Sequence, residues 1–195
     1  MKKRRISNKT IAITGLLLAI EIIFQCISML IPGGVNFNLS LIPITIGAIL
    51  YGPFVGGFLG FMAGVIILVS PNTVDVFLSV SPIATVFCCL VKTCIAGLVA
   101  GFIFNLIKKK NDVIAAIVAS IIVPLFNTFI FTFFAYFWFK DALHFTSYSE
   151  ILYAVIGLNF VIELVTTIIV APTLYKMVLT RKGNNGNYWL FLKII

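Results

Sequence analysis

Of 195 residues, 61% are apolar and only 10% charged, and the mean hydropathy is +1.15. Soluble domains carry about 25% charged residues, so this much Phe, Ile, Leu and Val has to face lipid rather than fill one water-covered core. The formal net charge of +8 sits in clusters between the apolar runs, which makes it a topological signal and argues against a nucleic-acid surface.

The chain reads as one all-α integral membrane domain over residues 1–195. A basic tail, 1–9, holds Lys2, Lys3, Arg4, Arg5 and Lys9 and precedes a first helix over about Thr10–Ile31. That stretch is too long for a signal peptide, contains Glu21 and lacks a small-x-small cleavage site, so it is expected to stay as a helix. Pro32, Gly33 and Gly34 stop it, and a polar mouth, Asn36–Asn38, follows. A short second helix is predicted over about Leu39–Tyr51, and a third over about Pro53–Val69, joined by a tight Gly52–Pro53 turn in which proline opens the new helix. Gly56, Gly60 and Gly64 recur every four residues, so one face of the third helix is bare backbone that another helix can approach. Ser70–Thr73 and Asp75 read as loop.

The fourth helix is expected over about Pro82–Ile107, ending at Lys108, Lys109 and Lys110, with small residues at Ala96, Gly97, Ala100 and Gly101. The fifth covers about Val113–Phe139, where the aromatic run IFTFFAYFWF reads as an interfacial belt. The loop KDALHFTSYSE, with the lone His144, leads to a sixth helix over about Ile151–Leu179 and a tail, 180–195. Six crossings put the N-terminal cluster, the lysine triplet and Lys176, Arg181 and Lys182 on one side, so both termini are expected in the cytoplasm.

Glu21, Gln25, Lys92, Asn127, Asn159 and Glu163 fall inside these helices, where an ionised group costs about 2.5–3.5 kcal/mol or more, so they are expected to face the bundle. Lys92 paired with Glu163 or Glu21 would lock helices together. The alternative is a pocket in which one lysine and converging amides hold a small polar ligand carrying a carboxylate or several amides. Cys26, Cys88, Cys89 and Cys94 read as buried free thiols, with no neighbouring histidine for a metal. In the first helix Gly15 and Ala19 form a further small-residue patch, for which spacing alone favours ordinary packing. There is no GxxxxGK[ST], HExxH or GxSxG sequence and no acidic pair at catalytic spacing, so neither ATP hydrolysis nor other hydrolytic chemistry is expected, and no cofactor or metal. The halves show no repeat of the kind that a stand-alone alternating-access transporter uses.

The block NFNLSLIPITIGAILYGPFVGGFLGFMAGVI, with its L-x-P-I-x-x-G-x-x-x-Y-G-P-x-x-G pattern, and the later LVKTCIAGLVAGFIFNLIKKK resemble the substrate-binding S components of energy-coupling factor (ECF) vitamin transporters. The resemblance covers roughly residues 8–180 and looks closest to the pantothenate- and riboflavin-type branch. It implies a multi-pass subunit of the bacterial plasma membrane that captures a water-soluble vitamin from outside, notably with the loop after the first helix. It also implies partners: a transmembrane coupling (T) subunit and two cytoplasmic ATPases, which would supply the energy that this chain has no motif to harvest. Carried over, the ligand residues are Asn36, Phe37, Asn38, Lys92, Asn127, Asn159 and Glu163. The docking patch, AxxxA in the family, falls on Gly15 and Ala19, with Gly standing for the first Ala. Pantothenate, with a carboxylate and an amide, suits a lysine-plus-asparagine set; riboflavin, which lacks a carboxylate, would leave Lys92 to Glu163, and folate or another micronutrient are further options. A ligand-free membrane scaffold is the competing reading from another class. An intramembrane enzyme has no identifiable nucleophile and base.

Overall fold

The computed structural model describes residues 8–30, 38–71, 73–141, 147–156 and 158–183; at 30, 153–156, 158–159, 174 and 176–183 the description is of the backbone only. Among these residues the fold is entirely helical: α1 (Asn8–Leu30), α2 (Leu41–Tyr51), α3 (Pro53–Leu68), α4 (Pro82–Ile107), α5 (Asp112–Phe134), α6 (Tyr148–Ile156) and α7 (Leu158–Gly183). Three helical stretches are long and apolar enough to cross a membrane unaided, Asn8–Met29, Pro82–Ile107 and Asp112–Phe139; Leu41–Tyr51, Pro53–Leu68 and Phe160–Thr173 are shorter apolar helices. Large side chains such as Ile11, Phe54, Ile83, Phe87, Leu106, Phe129 and Ile169 are exposed around the outside, the belt that lipid requires.

The short α2 owes its tolerance to its position. At 1.5 Å per residue its 11 residues span about 16 Å, too little to face lipid from one interface to the other. It lies in the middle of the bundle, against α1, α3, α4, α5 and α7, and Leu41, Ile44, Thr45 and Ala48 are fully enclosed. A helix apolar on every face and covered by protein on every face has no need of membrane length. It ends at Gly52, whose φ of +94° is open to glycine at little cost. The Gly52 N–H donates to the Ala48 carbonyl at 3.1 Å, and Pro53 then starts α3 where a missing N–H costs nothing.

The glycine series of α3 packs on α4. A Cβ on Gly56 would stand 2.7 Å from the Gly97 carbonyl oxygen, one on Gly64 2.5 Å from that of Cys89, and one on Gly101 2.5 Å from the Pro53 Cα. The two backbones touch along their length, as the spacing predicts. α4 continues against α5, which is capped by the Asn111 side chain accepting from the Val113 and Ile114 N–H groups at 2.9 and 3.0 Å. α5 runs on as a π-helical segment, Ala135–Phe139, which makes one helical stretch of Asp112–Phe139.

Two expectations need correction. The stretch around Asp75 is a π-helical turn, Thr73–Leu78, tied to α4 by the Thr85 hydroxyl, which donates to the Phe77 carbonyl at 2.8 Å. Cys26 is exposed on α1 rather than buried, whereas Cys88 and Cys89 are buried as expected. The expected sixth helix is described as α6 and α7 on either side of Gly157, which, like His144 and the terminal stretches 1–7 and 184–195, lies outside the described residues.

Candidate functional site

Polar side chains collect at the end of the bundle where α2 begins, away from the lysine triplet. Glu163, in the second turn of α7, is 8% exposed, and its Oε1 accepts the backbone N–H of Asn38 at 3.2 Å. The Asn38 side-chain carbonyl is in turn held by the Ser40 hydroxyl. This pair of contacts ties the entrance of α2 to α7.

Lys92, midway along α4, is half-buried and feels the charge of Glu163, with no ion pair between them; sequence alone left Glu21 as an equal candidate, and Glu21 is not the partner. Its Nζ sits 4.9 Å from the centroid of the Phe131 ring, a cation held against the negative face of an aromatic. The ring is fixed from another direction by Phe77, edge-on at 5.8 Å. Asn127 stands one turn before Phe131 on the same face of α5, 6% exposed, and its Oδ1 has no hydrogen-bond partner. Thr93, Thr128 and Thr132 are buried nearby in sequence on α4 and α5, and the Thr132 hydroxyl meets the Tyr148 hydroxyl at 3.1 Å.

Asn38 is thus bonded to Glu163, whose charge Lys92 feels, and Lys92 lies against Phe131, one turn of α5 from Asn127. Asn36 and Phe37 lie outside the described residues, and Asn159 is described in its backbone only, in the first turn of α7. Phe131 was passed over because the aromatic run at the end of the fifth helix reads as interfacial belt, and Phe77 because its stretch reads as loop; the four-residue step from Asn127 to Phe131 was the available signal. Gly15 and Ala19 are both exposed, and nothing lies within 4 Å of where a Cβ on Gly15 would stand.

What these groups can do is bind. A lysine with three donors, an unpaired amide oxygen and buried hydroxyls recognise a polar molecule, and among the described residues no cluster of His, Cys, Asp or Glu is arranged to hold a metal. A lipid-belted helical bundle with such an interior defines an integral membrane protein with an intramembrane polar site.

The sequence pattern of the ECF transporter, substrate-specific component, matches residues 9–178, and the chain belongs to that family. It is thus a transporter subunit and not an enzyme; substrate-specific components bind small-molecule substrates and work with T and ATPase subunits. No curated protein and no solved structure matches the chain.

Proposed function

We propose that this chain is the vitamin-capture subunit of an ECF importer in the bacterial plasma membrane, crossing six times with both termini in the cytoplasm, and that its vitamin is pantothenate. The observation that carries the choice is the orphaned Asn127 Oδ1, one turn of α5 from the Phe131 ring against which Lys92 lies. Lys92, which makes no ion pair among the described residues, supplies the cation for a carboxylate, and the orphaned Asn127 Oδ1 supplies an acceptor for a hydroxyl or amide donor. An unsatisfied buried acceptor costs about 1–3 kcal/mol, so a ligand donor reaching it recovers that energy on binding. Asn38 and Glu163 hold the entrance beside them, and Asn36, Phe37 and Asn159 complete the proposed contact set. The bare face at Gly15 and Ala19 serves as the docking surface for the coupling subunit, which recruits two cytoplasmic ATPases.

The attraction between Lys92 and Glu163 favours riboflavin as the second reading, since that ligand leaves the lysine with its carboxylate. The purified chain is to be titrated with pantothenate, riboflavin and folate by calorimetry, alongside the mass of any co-purifying molecule. Pantothenate is expected to bind, and Lys92→Met to weaken it at least about 30-fold, in line with the loss of a buried charge-assisted contact. Riboflavin binding that is indifferent to Lys92→Met would transfer the assignment. Failure of every vitamin to bind or stabilise the chain would leave the ligand-free scaffold.

A further inference from the structure

The π-helical turn Thr73–Leu78, between α3 and α4, is fixed at both ends. The Ser70 hydroxyl donates to the Thr73 hydroxyl at 2.8 Å in a buried pair. At the other end the Phe77 carbonyl accepts the Ser81 N–H at 3.1 Å and the Thr85 hydroxyl at 2.8 Å. Backbone held in this way aims the Phe77 side chain. Its ring is half-buried and meets two others edge-on: Phe131 of α5 at 5.8 Å and 78°, and Phe139, itself buried, at 5.2 Å and 85°.

That double contact depends on the second π-helical segment. From Phe131 to Phe139 an uninterrupted α-helix would turn the second ring about 80° away from the first. Ala135–Phe139 is π-wound instead, and the wider turn takes up most of that angle, so both rings face Phe77. The two π-helical segments thus meet through one phenylalanine.

The Phe131 ring that Phe77 holds is the one against which Lys92 lies, with Nζ 4.9 Å from the centroid. An aromatic ring attracts a cation over its face and repels it at its edge, because its quadrupole has opposite signs there. The tilt of Phe131 therefore decides whether the ammonium is held or pushed off, and so where its charge rests between the ring and Glu163, whose charge it also feels. An aliphatic side chain in place of Phe77 would fill the space without setting that tilt, whereas an edge-to-face contact sets it.

We propose that Phe77 is a positioning residue for the ligand-binding cation: through the Phe131 ring it places Lys92, so the turn between α3 and α4 sets how strongly the site prefers a carboxylate to a neutral ligand. This role rests on the reading of Lys92 as the carboxylate's partner and extends it to a residue that acts without touching the ligand.

The full chain in detergent, with lysine isotopically labelled at Cε, is observed by NMR, and the Lys92 resonance is assigned by its loss in Lys92→Arg. Its place over a ring face should displace that resonance upfield of those of the exposed lysines. Phe77→Leu should remove at least half of the displacement, and Phe77→Tyr should keep it. In calorimetry Phe77→Leu should lower pantothenate affinity about three-fold, as loss of the ring itself would, and Phe77→Leu with Phe131→Leu should lose no more than either alone, because both act on one contact. Affinity for panthenol, in which an alcohol replaces the carboxylate, should not change. A Lys92 resonance that stays in place in Phe77→Leu overturns the proposal, as do additive losses in the double variant or equal losses for acid and alcohol, which mark a purely structural role. Should Phe77→Leu fail to fold, Thr85→Val, which frees the Phe77 carbonyl from α4 while keeping the side-chain shape, is read in the same two ways. If the wild-type chain binds neither compound, the pantothenate reading fails, while the resonance still decides whether Phe77 places the ammonium.

Discussion

α3 and α1 carry the same device in sequence, small residues every four positions, and the fold uses them in opposite ways. Gly56, Gly60 and Gly64 are buried against the α4 backbone, whereas Gly15 and Ala19 are exposed with nothing near the missing Gly15 side chain. Spacing identifies residues that share a helix face, but what covers that face is decided by the rest of the bundle. In α3 the partner is within the chain and the glycines are structural. In α1 the inner face goes to α2 and α3 through Leu17, Glu21, Gln25 and Ser28, and the small-residue face is left for something else.

The largest effect is expected where the small residue is already consumed. Gly64→Leu would drive a side chain into the Cys89 carbonyl and the Leu90 Cα, which stand 2.5 and 2.8 Å from its Cβ and belong to a helix that cannot give way locally. Overpacking of ordinary cores costs about 1–3 kcal/mol, and a clash with backbone costs more. Size-exclusion chromatography should show aggregate and no monodisperse peak; a variant that elutes and melts like wild type would break the contrast.

Gly15→Leu is the matching change on the free face. A Cβ there meets no protein atom within 4 Å, so Tm should stay within about 2 °C and vitamin affinity within about two-fold of wild type, the ordinary range for such surface changes. Capture of the coupling and ATPase subunits in a co-purification should nevertheless be lost. Retained assembly would return Gly15 to the status of a lipid-facing residue.

Site substitutions should do the reverse, moving binding without moving assembly. Asn127→Leu removes a buried acceptor that has no partner, so the ligand-free chain should melt at or above the wild-type temperature while pantothenate affinity falls about tenfold, the worth of one hydrogen bond to a neutral group. Parallel losses of stability and affinity would mean that Asn127 supports the fold instead.

Much of this was legible before any coordinates. Composition gave the solvent, the lysine triplet and prolines gave most helix ends, and Gly56–Gly60–Gly64 against Ala96–Gly101 announced a close helix pair. The burial of Glu21, Gln25, Asn127 and Glu163 followed from the cost of polar groups in lipid. The rest depended on which helices are neighbours. Lys92 had two acids to choose from, and only the placement of α7 beside the entrance of α2 selects Glu163. The π-helical turn at Thr73–Leu78 escaped notice because Ser70, Pro71, Asn72 and Asp75 all favour loops, and its register comes from a hydroxyl on another helix, Thr85. The exposure of Cys26 and of the Gly15–Ala19 face likewise reflects how little of α1 the bundle covers.

The smallest expected effect concerns Phe131, which holds the cation rather than any ligand. With Nζ 4.9 Å from the ring centroid, the contact is worth about 0.5–2 kcal/mol depending on hydration, and it competes with the pull of Glu163 on the same lysine. Phe131→Leu keeps the apolar bulk but removes the ring quadrupole, so Lys92 should move toward Glu163 and offer less of its charge to a carboxylate. Pantothenate affinity should fall about three-fold, Phe131→Tyr should restore it, and Phe131→Leu combined with Glu163→Gln should recover part of the loss by removing the competitor. If the double variant binds no better than the single one, the ring acts by packing against Phe77 and not by sharing the lysine with Glu163.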